Sequence, residues 1–259
     1  MLDISIVTKP KFIKRGKDVG VFEIENLYAG YGVTLGNALR RALLSSLPGA
    51  AVTQAKIKNV DHEFSTLPHV VEDMVEILLN LKKLRVKLHT EESQTLVLKA
   101  KGEQKVTAEL FDKNSNAEVI NNDLHIATLT DKKAELEMEV TVERGLGYEP
   151  VEARKMKKLP IGTLSLDAFF SPVKKVSFES ENMRVGDRTD YNRLRILIET
   201  DGSISPSRAL QNAAKILVGH FNLVVGIEAE EEVGGVAESV EEKKTKKAAR
   251  GKRSAKKKK

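Results

Sequence analysis

The sequence predicts an α+β fold with a mostly antiparallel sheet and two long helices near opposite ends of the folded body. Apolar and polar residues alternate along several short runs, most clearly over residues 135–142, which is typical of strands with one buried face. Two other segments, residues 35–47 and 207–225, repeat apolar residues every three or four positions, as amphipathic helices do. The 259 residues, 41% of them hydrophobic, allow one or two domains with a packed core.

The first elements are predicted to be strands. Apolar residues alternate over residues 2–6, and two further apolar runs, at residues 12–13 and 19–24, flank the polar segment 15–18. A polar turn between two such runs indicates a pair of neighbouring antiparallel strands.

The first helix is predicted over residues 35–47. A glycine-rich link at residues 30–32 leads to Thr34, whose side chain suits an N-cap, and Pro48 predicts the end of the helix. The glycines at positions 30, 32 and 36 are spaced one residue too widely for the G-x-G-x-x-G turn that binds dinucleotides. We therefore interpret them as residues that shape a strand-to-helix corner.

Two neighbouring arginines, Arg40 and Arg41, lie on this helix outside its apolar stripe. An arginine pair in such a position usually covers a solvated face. A guanidinium group can also pair bidentately with a carboxylate of a partner protein. The residues alone leave both interpretations open.

A second helix is predicted over residues 71–83. Glu72 and Asp73 in its first turn and Lys82 and Lys83 in its last turn match the polarity of the helix dipole. Most of the remaining chain is predicted to be strand, at residues 52–60, 84–89, 95–100, 105–110, 124–129 and 135–142, and again near 164–170 and 194–198.

The last helix begins with Ser205 as N-cap and Pro206 as its first residue, and its stripe predicts a length of ~28 Å over residues 207–225. This stripe either packs onto the chain's own sheet or forms a seam between two copies. Residues 228–259 are rich first in Glu and then in Lys, which predicts a disordered tail. The tail holds eleven Lys or Arg and seven Glu, so it carries most of the net charge of +6 and the body is nearly neutral.

The composition excludes several kinds of chemistry. Without cysteine the chain has no disulfide, no thiol nucleophile and no cysteine zinc site. The five histidines lack metal-ligand spacing, and no Asp-rich cluster suits two-metal catalysis. We therefore predict no catalytic residue, no metal site and no cofactor in this chain. No secretory signal begins the sequence and no run approaches the roughly 18 apolar residues of a membrane span, so a cytoplasmic protein without membrane contact is expected.

Several motifs together resemble one family. The segment Thr34–Ser46 (TLGNALRRALLSS) closely resembles the signature helix of the bacterial DNA-directed RNA polymerase alpha subunits. The segment His62–Thr66 (HEFST), followed by Glu72-Asp73 and Glu76–Lys82 (EILLNLK), resembles the same family. Further similar pieces stand at residues 144–148, 171–173 and 188–190, in the family's order across residues 1–227.

The resemblance implies a discontinuous dimerisation domain, formed by residues 1–47 and 177–227, with an inserted mainly-β domain at residues 48–176. The dimerisation domain would combine an antiparallel sheet with the two long helices, which would pack against those of a second copy. The dimer-interface residues expected on this basis lie on the apolar stripes of the two helices: Leu35, Leu39, Leu43, Leu210, Leu217, Phe221 and Val224.

The resemblance also implies that two copies form a homodimer on which the beta and beta-prime subunits of RNA polymerase assemble for DNA-templated RNA synthesis. Catalysis and magnesium would belong to those large subunits, within a nucleotidyltransferase complex. The residues expected to contact the large subunits are Arg40, Arg41, Leu44, Glu72, Asp73, Glu76, Arg188 and Asp190.

The sequence departs from the family pattern at its C-terminal end. The family usually continues into a small helical domain that contacts promoter DNA, and here that domain is expected to be absent after residues 243–259. The Lys-rich tail either keeps the protein soluble or makes non-specific, salt-dependent contact with DNA phosphates. Two other function classes are weaker alternatives: a nucleic-acid-binding protein with a basic tail, and a nucleotide-dependent enzyme.

Overall fold

The computed structural model describes residues 10–14, 16–154, 160 and 162–227. The predicted alternation over residues 2–6 and the predicted disordered tail at 228–259 lie outside the described residues. Within them the chain is α+β, as predicted, with three α-helices and fourteen strands. The elements in chain order are β1 (Lys11–Lys14), β2 (Val19–Leu27), α1 (Tyr31–Ser45), β3 (Pro48–Ile57), α2 (Met74–Lys82), β4 (Val86–Leu88), β5 (Gln94–Lys101), β6 (Gln104–Thr107), β7 (Ala117–Val119), β8 (His125–Leu129), β9 (Glu135–Leu146), β10 (Tyr148–Glu149), β11 (Thr163–Ser165), β12 (Ala168–Phe169), β13 (Val173–Val185), β14 (Arg188–Thr200) and α3 (Pro206–Val225).

One antiparallel sheet has the strand order β1-β2-β14-β13 and so joins the two ends of the described chain. The predicted pairing across the first polar turn is confirmed, since Phe12 lies opposite Phe22. Alternate residues of β14, among them Leu194, Ile196 and Ile198, are fully buried. With α1 and the first half of α3 they form a hydrophobic core, which we call the terminal core.

Helix α1 begins four residues earlier than predicted. Its N-cap is Gly30, in a left-handed conformation with φ 85°, and Thr34 lies inside the helix. The side-chain oxygen of Asn192, on β14, accepts a hydrogen bond of 2.8 Å from the Gly30 N–H. A side chain distant in sequence therefore supplies the cap that we had expected from Thr34, which explains the error in the predicted start.

Two glycines allow α1 to lie directly on the sheet. A Cβ atom added to Gly36 would stand 2.5 Å from the Phe178 ring, and one added to Gly32 would overlap the Ser180 hydroxyl. Any larger residue at these positions would push the helix away from β13. The glycines thus shape the corner, as predicted, and also set the distance between helix and sheet.

A second antiparallel sheet, with the order β11-β3-β9-β5, carries the larger core. Three two-stranded ladders, β4-β7, β6-β8 and β10-β12, accompany it. Helix α2 packs against this core, which we call the middle core, through Met74, Ile77 and Leu81, all fully buried. The helix is shorter than predicted because Asp73 caps it, accepting a hydrogen bond of 2.8 Å from the Glu76 N–H.

Helix α3 begins as predicted. The Ser205 hydroxyl accepts a hydrogen bond of 3.4 Å from the Arg208 N–H, and Pro206 is the first helical residue. Among the described residues, those up to His220 belong to one compact unit and residues 221–227 belong to a second. The domain limits expected from the family resemblance, 1–47 with 177–227 and 48–176, stay a prediction.

Candidate protein-interaction surfaces

The outer face of α1 carries three exposed side chains, Arg40, Arg41 and Leu44, which we call the α1 patch. Arg40 lies over the Phe178 ring, 5.8 Å from its centroid, and donates a hydrogen bond of 3.4 Å to Asn37. Among the described residues no carboxylate lies within ion-pair distance of either arginine. The patch therefore offers guanidinium groups and an apolar side chain to a partner.

The dimer-interface residues predicted on α1 lie on its covered face. Leu39 and Leu43 are buried in the terminal core of their own chain, with 4% and 0% exposure, and their contact with a second copy stays a prediction. Leu35 is half-buried against the same core. These residues face the sheet because Gly32 and Gly36, on the same side of the helix, bring it there.

The predicted residues of α3 fall into two groups. Leu210 and Leu217 are half-buried and pack against the terminal core. Phe221 and Val224 are exposed to 61% and 62%. Every large apolar side chain between residues 221 and 227 is exposed, and we call this set the α3 patch: Phe221, Leu223, Val224, Val225 and Ile227. Such a concentration of exposed apolar residues indicates a protein interface.

The acidic residues before α2 have different environments. Glu72 is mostly buried, with a side-chain exposure of 13%. Its carboxylate accepts hydrogen bonds from the Thr128 N–H, at 2.6 Å, and the Thr128 hydroxyl, at 3.0 Å, and lies 2.7 Å from His125 Nε2. Burial raises the pKa of Glu72, but the hydrogen bonds from His125 and Thr128 outweigh burial and hold the pKa below its ordinary value.

Glu72 therefore fastens the start of α2 to β8, and its predicted contact with a large subunit stays a prediction. Asp73 serves as the N-cap of α2. Glu76, the third acidic contact residue predicted near α2, is exposed and pairs with no cation in the part of the chain that the structure describes.

An exposed apolar surface beside α2 was not predicted. Val71, Val75 and Leu79 are exposed, although they repeat at helical spacing together with the buried Met74 and Leu78, and Phe64 is 77% exposed. We call these four residues the α2 patch. Residues 74–79 are apolar except for Glu76, so their pattern could not distinguish the covered face from the open one.

A concavity of about 560 Å³ lies at this patch, lined among others by Phe64, Val75 and Leu79. At its rim Lys82 Nζ lies 2.9 Å from an Asp167 carboxylate oxygen. The Lys82 ammonium and a hydrogen bond from the Val151 N–H hold the pKa of Asp167 below its usual range. The concavity thus combines apolar walls with an ion pair, as many protein-docking surfaces do.

The start of β14 holds the other predicted contact residues, Arg188 and Asp190. They pair with each other through two parallel hydrogen bonds of 3.0 and 2.7 Å. The Arg188 guanidinium also lies over the rings of Tyr28 and Tyr191, 5.2 and 5.5 Å from their centroids. Arg188 lowers the pKa of Asp190. Both side chains are about half exposed, so the pair presents an ordered polar surface.

Across the described ranges, no group of three or more His, Cys, Asp or Glu side chains is arranged to hold a metal ion. None of the three described helices has the length and apolar character needed to cross a bilayer. The Lys-rich segment 243–259, expected to contact DNA or solvent, lies outside the described residues.

Comparison with known proteins identifies related sequences. A family model described as the RNA polymerase Rpb3/RpoA insert domain matches residues 55–171. The DNA-directed RNA polymerase subunit alpha of Symbiobacterium thermophilum is 47% identical over 223 residues, which span 85% of this chain and 70% of that relative. The subunits alpha of Alkaliphilus oremlandii and Oceanobacillus iheyensis are each 48% identical, over 229 and 225 residues, covering 87% and 85% of this chain and 72% and 71% of those relatives.

Proposed function

The chain belongs to the family of DNA-directed RNA polymerase alpha subunits, and from this premise we propose that two copies form a homodimer that scaffolds the beta and beta-prime subunits. In this proposal the chain takes part in transcription, within a cytoplasmic nucleotidyltransferase complex, without contributing a catalytic residue. Nucleotide addition and its magnesium ions are assigned to the large subunits, as the family resemblance implies.

The observation that carries the proposal is the α3 patch. Five large apolar side chains stand exposed within seven residues of the described chain. Burying a side chain such as Phe221 or Val224 contributes roughly 1.5–3 kcal/mol. In a twofold dimer the same patch of both copies lies at the interface. Each copy would therefore contribute the free energy of burying its own α3 patch.

The α1 and α2 patches supply separate surfaces for the large subunits. Arg41 offers a guanidinium fork, without a carboxylate partner in the described chain, beside the exposed Leu44. The α2 patch offers apolar walls around the Lys82–Asp167 pair. A twofold dimer presents each patch twice while its two large partners differ, so each copy would use overlapping patches for different contacts.

Co-purification tests this function. The full chain is expressed with both large subunits, and the mass of the complex is measured by light scattering after gel filtration. We expect two copies of this chain with one of each large subunit. A chain that stays monomeric at working concentration and binds neither large subunit would overturn the proposal.

Arg41→Ala tests the assignment of the α1 patch. Removing one charged hydrogen-bonding partner costs about 1.5–3 kcal/mol, so capture of beta should weaken roughly tenfold or more, while the homodimer persists. Lys105→Ala, which removes an exposed cation outside the three patches, is the control and should leave capture unchanged. Equal capture by both variants would remove the α1 patch from the proposed contact.

A further inference from the structure

A cavity of about 600 Å³ lies where the two cores meet, away from the three patches. Its walls include Leu47, from the terminal core, and Val86, from the middle core. Three segments and two single residues line it: Leu47–Ala50, Val86–His89, the chain around the start of α3 (Ser203, Ile204, Ser205, Arg208 and Asn212), Arg144 and Pro172. Cavities of 300–1,000 Å³ are the usual size of small-molecule sites.

The charge of the lining is one-sided. Lys87, Arg144 and Arg208 line the cavity together with His89, and no Asp or Glu is among its lining residues. The chain outside its C-terminal tail is nearly neutral in composition, so this surplus is local. Side chains of one sign around a concave site raise the local concentration of ions of the other sign.

Nearby carboxylates neutralise this surplus only weakly. Arg144 lies 3.9 Å from Glu91, whose side chain is almost fully exposed, and His89 lies 3.8 Å from Glu118. Lys87 and Arg208 have no carboxylate within ion-pair distance in the described part of the chain. Two cationic groups at the cavity are therefore available to a ligand without breaking an ion pair.

The rest of the lining fits an organic anion. The hydroxyl of Ser205 and the amide of Asn212 can donate hydrogen bonds, and Pro48 and Ile204 provide apolar wall. The Ser203 hydroxyl already donates its proton to the Asp201 carboxylate, at 2.5 Å. A planar guanidinium group binds phosphate oxygens in pairs, and an apolar wall can take a ring or another uncharged part of a ligand.

We propose that this cavity binds a small organic molecule that carries phosphate groups, of the size and charge of a nucleoside polyphosphate. Arg144 and Arg208 hold its phosphates, assisted by Lys87. The wall at Pro48 and Ile204 contacts its uncharged part. Because the cavity is lined by both cores, a bound ligand links them. The proposal does not depend on the assembly function, and failure of one leaves the other standing.

Calorimetric titration of the full chain tests the site with three probes: ATP, inorganic triphosphate and adenosine. We expect saturable binding of one ATP per chain, weaker binding of triphosphate and no binding of adenosine. The double variant Arg144→Ala/Arg208→Ala should bind ATP at least about tenfold more weakly, because it removes two charged hydrogen-bond donors. The control pair Lys105→Ala/Lys215→Ala removes the same charge at exposed positions outside the cavity and should change affinity less than about twofold.

Methyl NMR locates the bound probe independently of the variants. The Ile204 methyl signals, at the cavity wall, should shift during ATP titration, whereas those of Ile126, fully buried in the middle core, should not. Arg208→Glu, a reversal of charge at one exposed position, should abolish the Ile204 shift while the Ile126 signals keep their folded positions.

Three results would overturn the proposal. If the cavity double variant and the control double variant lost equal affinity for ATP, the binding would depend on the net charge of the protein alone. An unmoved Ile204 signal would place the binding elsewhere. Displacement of ATP by duplex DNA at equal phosphate concentration would show a nucleic-acid surface in place of a small-molecule site.

Discussion

Helices α1 and α3 carry similar apolar stripes, but the stripe of α1 is largely buried and the stripe of α3 is buried only in its first half. Leu39 and Leu43 of α1 are buried beneath the chain's own sheet. In α3 the buried positions are confined to the first half, at Pro206, Ala209 and Ala213, and the apolar residues from Phe221 onward are exposed. Helical periodicity thus shows that one face is apolar, but it does not show which surface covers that face.

Close approach accounts for the difference. A Cβ added to Gly36 of α1 would meet the Phe178 ring at 2.5 Å, so this helix lies against the sheet with no space between them. In α3, Gly219 has no atom within 4 Å of the position where its Cβ would stand. The two glycines look alike in the sequence, and only the first belongs to a packed surface.

The largest effect is expected from changing the open part of α3. Phe221→Ser/Val224→Ser removes two exposed apolar side chains from each copy of the proposed dimer, each worth roughly 1.5–3 kcal/mol when buried. The dissociation constant of the dimer, measured by sedimentation equilibrium, should rise at least about 100-fold. Gln211→Ser, at an exposed polar position earlier in the helix, is the control. A dimer as tight as the unchanged protein would show that the α3 patch is not the seam.

Truncating a buried side chain of the α1 stripe should lower the stability of the protein. Leu43→Ala empties a fully buried position and should lower the free energy of unfolding by about 2–5 kcal/mol. Leu44→Ala, at the exposed neighbouring position, should lower it by about 0.5 kcal/mol or less. Urea unfolding of both variants at one protein concentration makes the comparison. Similar losses from both would contradict the assignment of Leu43 to the core and Leu44 to the surface.

The sequence predicted the elements whose determinants are local. Ser205 and Pro206 start α3 where expected, because both act within one turn of the helix. The alternation over residues 135–142 gave β9, which continues to Leu146. The start of α1 was missed because its cap comes from Asn192, over 150 residues away in sequence, and no local pattern records that contact.

Elements with weak or ambiguous patterns were missed for a different reason. Strand β13 was not predicted, because it is rich in Lys, Glu and Ser and shows no clear apolar alternation. It is an edge strand, which pairs only with β14 in its sheet. The open face of α2 was not predicted, because apolar residues surround most of that helix and the middle core takes only part of them. Among the candidate site residues, Arg40, Arg41 and Leu44 are exposed, whereas Leu39 and Leu43 are buried, and the partner contacts predicted for them stay predictions.

The same difference between a buried and an exposed position exists for two acidic residues near α2. Glu72 is mostly buried and Glu76 is exposed, so substitutions at both positions test what burial contributes. The folded-state pKa of Glu72 lies below the unfolded value of about 4.3, so its contribution to stability is present above that pH and is lost as the pH falls through the folded pKa. Glu72→Gln should therefore cost about 1–3 kcal/mol at pH 7, where a carboxylate hydrogen-bonded to Thr128 and His125 is replaced.

The cost should shrink towards zero as urea unfolding is repeated from pH 5 down to pH 3, because the protonated carboxyl of the unchanged protein loses the same interactions. Glu76→Gln, at an exposed position of the same helix, should change stability by at most about 0.5 kcal/mol at every pH. A cost at Glu72 that stays constant between pH 7 and pH 3 would show that shape and hydrogen-bonding capacity, and not the charge of the carboxylate, fasten α2 to β8.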